Sequence, residues 1–424
     1  AQCKDGVLTW QVPDGENRTW RCSIQVRLKD AYRYLVSDTS YDTNADTAQE
    51  KGCRLDYEIS GGASNGQKRK TEAATPVLKY GAVEVKGIKK WAVKNAEGEG
   101  VLFRLGRRLP GAGQDTWLAE QEVTAVNGWQ YVFQTRLEGA EQLPLVLYNN
   151  AQQKYTYALK EEVPFYENTN VTRQENGGKL EVTLENTPYR IRLQVEKKAA
   201  DTKEPLDGAS FGVYVYSKKT QDYEPYTGDD TSASGKTHMQ LIPKQGEKGV
   251  YVTPAWLYYT PDNDGRFRVV EERAPEGFVG DYTDDTYREK HTYDVRITEE
   301  NTGTEVAKTV DGAALCVENE PVKGEICVYK RDADSGLGAP QGNAKLFYAD
   351  VQKNARYGLF DAAGEQVAEG RIGSDGKLTF ADVPLGTYTV RELDTPPEGY
   401  LLDDTAYPVT LLWEGEDKPL VKVQ

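Results

Sequence analysis

Apolar and polar residues alternate with a period of two along most of this chain. KLEVTLEN (179–186), RIRLQVEK (190–197), FGVYVYS (211–217) and TYTVRE (387–392) each place every second residue on one face. That is the pattern of half-buried strands. Gly, Asn, Asp and Pro punctuate the runs at NGW, DNDG, PEG, AAGE and SDGK, where turns are expected. Helical periodicity is nearly absent. Many short strands with turns between them predict an all-β chain of sandwiches.

One phrase returns three times: YALKEEVPFY (157–166), FRVVEERAPEGF (267–278) and YTVRELDTPPEGY (388–400). Each is an alternating strand, a glutamate, and a proline-containing turn that ends on an aromatic. A lysine stands in an earlier strand each time. Lys89 precedes Glu161 by 72 residues, Lys197 precedes Glu271 by 74, and Lys330 precedes Glu392 by 62. A repeat on this scale means tandem domains of one architecture. Boundaries are expected near Lys79–Ala82, at Pro188 and at Pro321–Val322, which divides the chain into 1–80, 81–188, 189–321 and 322–424. The last two junctions are short and lack the Gly/Ser composition of a flexible tether, so an elongated rod of stiffly coupled domains is expected.

Composition narrows the function. At 424 residues there is room for three or four domains. A net charge of −15 repels phosphate backbones, so nucleic acid is not expected as a partner. No apolar run approaches the roughly 20 residues of a membrane span. No signal peptide opens the chain, and its abrupt strand-like ends read as those of an excised piece of a longer protein. The 27 tyrosines against one Met, two His and five Cys suit an exposed extracellular role that does not depend on disulfides. Cys22 and Cys53 could bridge neighbouring strands or stay unpaired, and a bond between Cys316 and Cys327 is not expected. No cofactor or metal is expected. His238 and His291 fall in no metal or triad motif, and Asp262-x-Asp264-Gly265 lacks the remaining ligands of a calcium loop and reads as a hairpin turn.

In order along residues 81–188, Gly87-x-Lys89-x-Trp91, Asn127-Gly128-Trp129, the Glu161 phrase and Glu185-Asn186-Thr187 resemble the B-type domains of Cna-like surface proteins. LQVEKKAADTKEPLDGASFGVY, the Glu271 phrase and CVENEP are similar to the related SpaA-like pilin domains. The Pro205–Ala209 turn, aligned with that family, selects Lys197 over Lys198. ICVYKRDADSG, PQGNAKL, YGLFDAAGE and the Glu392 phrase resemble the same family and nominate Lys330. More weakly, residues 1–80 resemble the strand-rich region that follows the von Willebrand A-type domain of some pilus-tip adhesins.

The resemblance implies an internal isopeptide bond: a first-strand lysine attacks the side-chain amide of a last-strand asparagine, assisted by the glutamate of an intervening strand. The lysine must be neutral, and burial lowers its pKa. The glutamate must carry a proton so that it can hydrogen-bond to the amide carbonyl, and burial raises its pKa. Two triads can be written, Lys89–Glu161–Asn186 and Lys197–Glu271–Asn319. Lys330 and Glu392 have no asparagine near LVKVQ; either the acceptor lies beyond Gln424 or this domain is not cross-linked. The plainer alternatives are solvated charges on strands and a buried, unreacted Lys–Glu pair.

Three functions compete. The first is a structural stalk of a Gram-positive surface adhesin or pilus, extracellular and attached to the cell wall or pilus, with pilus subunits as partners. No LPxTG-type sorting signal is present to fix the anchoring route. The second is a module that itself grips a host protein or glycan, its candidate surface the insertion 217–266 with PAWLYYTPDNDG. The third, an enzyme acting on other molecules, lacks any supporting motif.

Overall fold

The computed structural model describes residues 2–4, 7–9, 29–42, 77–228, 238–336, 347–394, 399–415 and 420–423. Cys22, Cys53, the segments around them and PQGNAKL lie outside the described residues. The chain is all-β, in tandem Ig-like sandwiches, and its contacts divide into two compact units, Ala1–Thr187 and Pro188–Gln424. Near the start, Gln2–Lys4 pairs with Val7–Thr9, and Thr39–Asp42 pairs with Val77–Tyr80.

The first sandwich shows how the alternation becomes structure. In Glu84–Trp91, Val85, Gly87 and Lys89 face inward while Glu84, Lys86, Ile88 and Lys90 are more exposed. This strand pairs in parallel with Lys179–Pro188 and antiparallel with Gln130–Phe133. The facing sheet is built from Val101–Arg108 with Thr116–Val123 and Thr156–Glu162 on either side. Val85, Phe103, Leu105, Leu145, Leu159, Leu180 and Leu184 fill the space between the sheets. Gly87 is a packing requirement: a Cβ there would lie 2.6 Å from Phe103 and Leu159.

The second unit repeats the plan twice. Arg190–Ala199 pairs in parallel with Cys316–Asn319 and faces a sheet of Asp222–Pro225, Ser210–Ser217, Arg266–Arg273 and Thr292–Arg296. Lys323–Tyr329 pairs in parallel with Leu420–Val423 and antiparallel with Lys377–Pro384; its facing sheet contains Arg356–Phe360 and Gly386–Glu392. In every copy the opening strand therefore lies directly beside the closing strand, and the glutamate strand belongs to the opposite sheet.

The described residues of the insertion 217–266, the candidate binding surface, supply the strands Asp222–Pro225, Ile242–Pro243, Val250–Val252 and Leu257–Tyr258 to the two sheets of the sandwich. Its aromatics are spent on packing. Tyr251 and Tyr259 are buried, and Trp256 lies under the guanidinium groups of Arg190 and Arg192. The DNDG stretch is a turn, as expected: Asn263 Oδ1 accepts from the backbone of Thr260 and Gly265. Helix, nearly excluded by periodicity, forms at Asp285–Lys290.

Candidate functional site: buried lysine, glutamate and asparagine between paired strands

The alternation that buries valines and leucines also buries a lysine. On Glu84–Trp91, Lys89 is the third inward residue after Val85 and Gly87, and it is 3% exposed. Across the parallel register it stands opposite Leu184, and Asn186, 2% exposed, is two residues further on the same inward face. Glu161 enters from the opposite sheet, where its register partner is Phe103. Lys89 Nζ donates to Glu161 Oε1 at 3.1 Å and lies 4.4 Å from the centre of the Trp91 ring. Trp129 and Tyr166 stand edge-on to Trp91, so the amine sits in an aromatic wall.

Loss of water dominates the electrostatics. It lowers the pKa of Lys89 below the ordinary lysine value and raises that of Glu161 above the ordinary carboxylate value; the attraction between the two opposes both shifts without cancelling them. Both directions favour a neutral amine beside a protonated acid. Glu161 Oε2 and Asn186 Oδ1 are buried and accept no hydrogen bond.

The middle sandwich repeats the arrangement. Lys197 stands opposite Val317, and Asn319 is again two residues beyond that partner. Glu271, completely buried, pairs in register with Phe211 of the neighbouring strand. Lys197 Nζ donates to the carbonyls of Val317 at 3.1 Å and Lys198 at 3.4 Å. Its distance to Glu271 Oε1 is 3.7 Å, a Coulombic contact rather than a hydrogen bond. Asn319 Nδ2 donates to Glu271 Oε2 at 3.2 Å. The carboxyl thus touches the amide nitrogen and not, as expected from the sequence, the carbonyl. Desolvation again lowers the lysine's pKa and raises the glutamate's. Lys198, the neighbour of Lys197, is on the opposite face and pairs with Glu196.

The third copy is different. Lys330 Nζ donates to both oxygens of Glu392, at 3.1 and 3.0 Å, and the backbone N–H of Asp403 donates to Oε2 at 3.0 Å. Glu392 stands opposite Tyr357, repeating the aromatic partnership of the other two glutamates. The parallel pairing runs only from Lys323↔Leu420 to Ile326↔Val423, so no described residue of the closing strand stands opposite Lys330.

The surroundings of the middle site were not legible in the sequence. Tyr287 and His291, from the helix and its C-cap, reach Asn319 and Glu271. The usable signal was local: Asp284 caps the helix by accepting from Tyr287 N, and Arg288 and Lys290 fall in its last turn. Cys316 and Cys327 are both free thiols. Among the described residues no cluster of His, Cys, Asp and Glu could hold a metal ion, and no helix is long and apolar enough to cross a membrane.

Residues 350–423 match the family model described as SpaA, prealbumin-like fold domain. The similarity covers the last sandwich of the chain. It includes Glu392 of the third site and the Leu420–Val423 strand that pairs with Lys323–Tyr329. No curated protein matches the chain. Among solved structures the chain is similar to the TIE protein of Bacillus anthracis, with 18% identity over 87% of this chain and 57% of that one (TM-score 0.45). It is also similar to the pilus adhesin SpaC of Lactobacillus rhamnosus GG, with 15% identity over 85% and 43% of the two chains (TM-score 0.25). A third is BcpA, the major pilin subunit of Bacillus cereus, with 11% identity over 80% and 97% (TM-score 0.28). The chain thus spans little more than half of the TIE protein and less than half of SpaC.

Proposed function

We propose that this chain is a load-bearing stalk segment of a Gram-positive surface adhesin or pilus, divided at 80/81, 188/189 and 321/322. Two of its sandwiches weld their own opening and closing strands together, through Lys89–Asn186 and Lys197–Asn319. Glu161 and Glu271 act once each as proton carriers, and no other molecule is transformed. The observation that carries this reading is the burial of a lysine and an asparagine on adjacent parallel strands, with a glutamate aimed at them from the opposite sheet, in two successive sandwiches.

The chemistry follows from that geometry. A neutral Lys Nζ attacks Asn Cγ, the C–Nδ2 bond breaks, and the proton lost by the amine leaves with the nitrogen as ammonia. The protonated glutamate gives its proton to the departing nitrogen from one oxygen and takes the amine's proton on the other, so it ends as it began. The fold holds the reactants in place, and effective molarities of roughly 10⁵–10⁸ M replace an external enzyme. Once made, each bond carries tension directly from the first strand to the last, past the folded body. Resistance to force and proteolysis then depends less on the rate of unfolding. A stalk with this property works outside the cell, between neighbouring pilus or adhesin segments; contact with a host protein or glycan falls to the parent adhesin. The proposal covers the two triads whose asparagine stands beside the lysine's strand; for Lys330 and Glu392 the alternatives of an acceptor beyond Gln424 and of no cross-link stay open.

Intact-mass measurement of the denatured chain tests the reading. The expected mass is that of the sequence less two molecules of ammonia, with one restored by Lys89→Ala and the other by Lys197→Ala. A chain at its full sequence mass would overturn it.

A further inference from the structure

The helix in the middle sandwich has no counterpart between the glutamate and asparagine strands of the first, and it delivers side chains to the reacting amide. Tyr287 is held three ways. Its N–H donates to the Asp284 cap, its ring stacks on His291 with centroids 4.1 Å apart, and Tyr282 stands edge-on to it. The His291 ring nitrogens lie 2.7 Å from the carbonyl oxygen of Tyr287 and 3.2 Å from that of Glu318, which ties the helix end to the asparagine strand. Held in this way, the Tyr287 hydroxyl donates to the Val279 carbonyl and accepts from Asn319 Nδ2 at 2.5 Å.

Asn319 Nδ2 consequently faces three acceptors: Tyr287 Oη, Val279 O at 3.0 Å and Glu271 Oε2 at 3.2 Å. The Val279 carbonyl can only accept, so it is the nitrogen and not the oxygen of the amide that occupies this position. A planar amide has two N–H bonds for these three acceptors. Ammonia has three. A site that matches the departing group better than the bound one accelerates its release.

We propose that Tyr287 Oη and the Val279 carbonyl form, with Glu271, a leaving-group cradle that speeds expulsion of ammonia from Asn319, a catalytic role for Tyr287 that rests on the cross-linking reading above. As Lys197 Nζ forms its bond to Cγ, the C–Nδ2 electron pair withdraws onto nitrogen. The proton surrendered by the amine reaches that nitrogen through Glu271. Tyr287 accepts a hydrogen bond throughout and exchanges no net proton. The product is one amide and one ammonia.

The test is the rate of bond formation in the full chain made by cell-free synthesis and quenched in acid denaturant at successive times. Mass mapping counts the Lys197–Asn319 and Lys89–Asn186 linked peptides separately. Tyr287→Phe keeps the ring stacked on His291 and removes the oxygen. The expected result is a Lys197–Asn319 link about 10-fold slower, the effect of one lost hydrogen bond in the transition state, with the Lys89–Asn186 rate unchanged as the internal clock. Tyr287→difluorotyrosine keeps size and hydroxyl but weakens the oxygen as an acceptor, and should slow the same link by a smaller factor even where the phenylalanine variant folds poorly. A wild-type rate in both variants overturns the cradle alone. Absence of the Lys197–Asn319 link from the unmodified chain overturns the cross-linking reading and the cradle with it.

Discussion

The middle and third sandwiches present the same buried lysine and glutamate in opposite states of satisfaction. Glu392 accepts two hydrogen bonds from Lys330 and one from the Asp403 backbone, an arrangement complete in itself. Glu271 is 3.7 Å from Lys197, with Oε1 accepting nothing, and the oxygen of Asn319 is equally alone. A buried polar group without a partner costs about 1–3 kcal/mol. The lesson is that the same residue types can form a satisfied ion pair or a site whose geometry leaves polar atoms without partners. The first sandwich, with Glu161 Oε2 and Asn186 Oδ1 unpaired, resembles the middle one in this respect.

The largest effect that would break this contrast is loss of the cross-link. Asn186→Ala and Asn319→Ala remove the acceptor and should each lower stability by about 4–5 kcal/mol, the loop-closure entropy of a bond between residues about 100 apart in a chain-entropy model. Denaturant titration of each variant against the parent checks this. A second experiment probes the third site. In the first two sandwiches the acceptor lies two residues beyond the lysine's register partner. Lys330 stands four residues past Ile326, which pairs with Val423, so the same register places an acceptor six residues after Val423. A chain extended by design with asparagine at that position should lose one further ammonia by intact mass. Asparagine one residue earlier or later faces the other side of the sheet and should leave the mass unchanged.

The sandwiches were legible from period-two alternation. The lysines came from the spacing to a repeated phrase and, for Lys197 over Lys198, from the family alignment of the Pro205–Ala209 turn; the structure places Lys89 and Lys197 on the inward faces of their strands. The glutamates were legible from a repeated phrase, although the sheet they belong to was not, since pairing partners distant in sequence leave no local trace. The aromatic opposite each glutamate, Phe103, Phe211 or Tyr357, shows only in the register. Tyr287 and His291 escaped for another reason. A six-residue helix is too short to establish a period, and its contacts with Asn319 cross about 30 residues of chain.

Breaking the satisfied pair gives the next effect in size. Lys330→Met leaves Glu392 buried with a single backbone donor and should destabilise the third sandwich by about 3–5 kcal/mol, whereas Lys330→Met with Glu392→Leu should come close to neutral. Thermal unfolding of the two variants separates them. A double variant as unstable as the single one would show that the pair itself holds the sandwich together.

The smallest effect concerns protons, and it sharpens the contrast from the unsatisfied side. In Asn186→Ala the first site keeps its amine and acid but cannot react. Burial raises the Glu161 pKa above 4.5, so the folded state holds a proton that the unfolded chain has released. Stability from this group is therefore fully present below pH 4.5 and lost as the pH climbs through the raised folded value, by about 1.4 kcal/mol for each pH unit that separates the two. Lys89 has the opposite sign: its folded pKa is lowered below 10.5, so stability rises as the pH passes from that lowered value toward 10.5. The unfolding midpoint of Asn186→Ala should accordingly dip between the two windows. Adding Glu161→Gln removes the acid limb and leaves the alkaline one. An acid limb that survives this second substitution would assign the titration to a group other than Glu161 and remove the proton carrier from the first site.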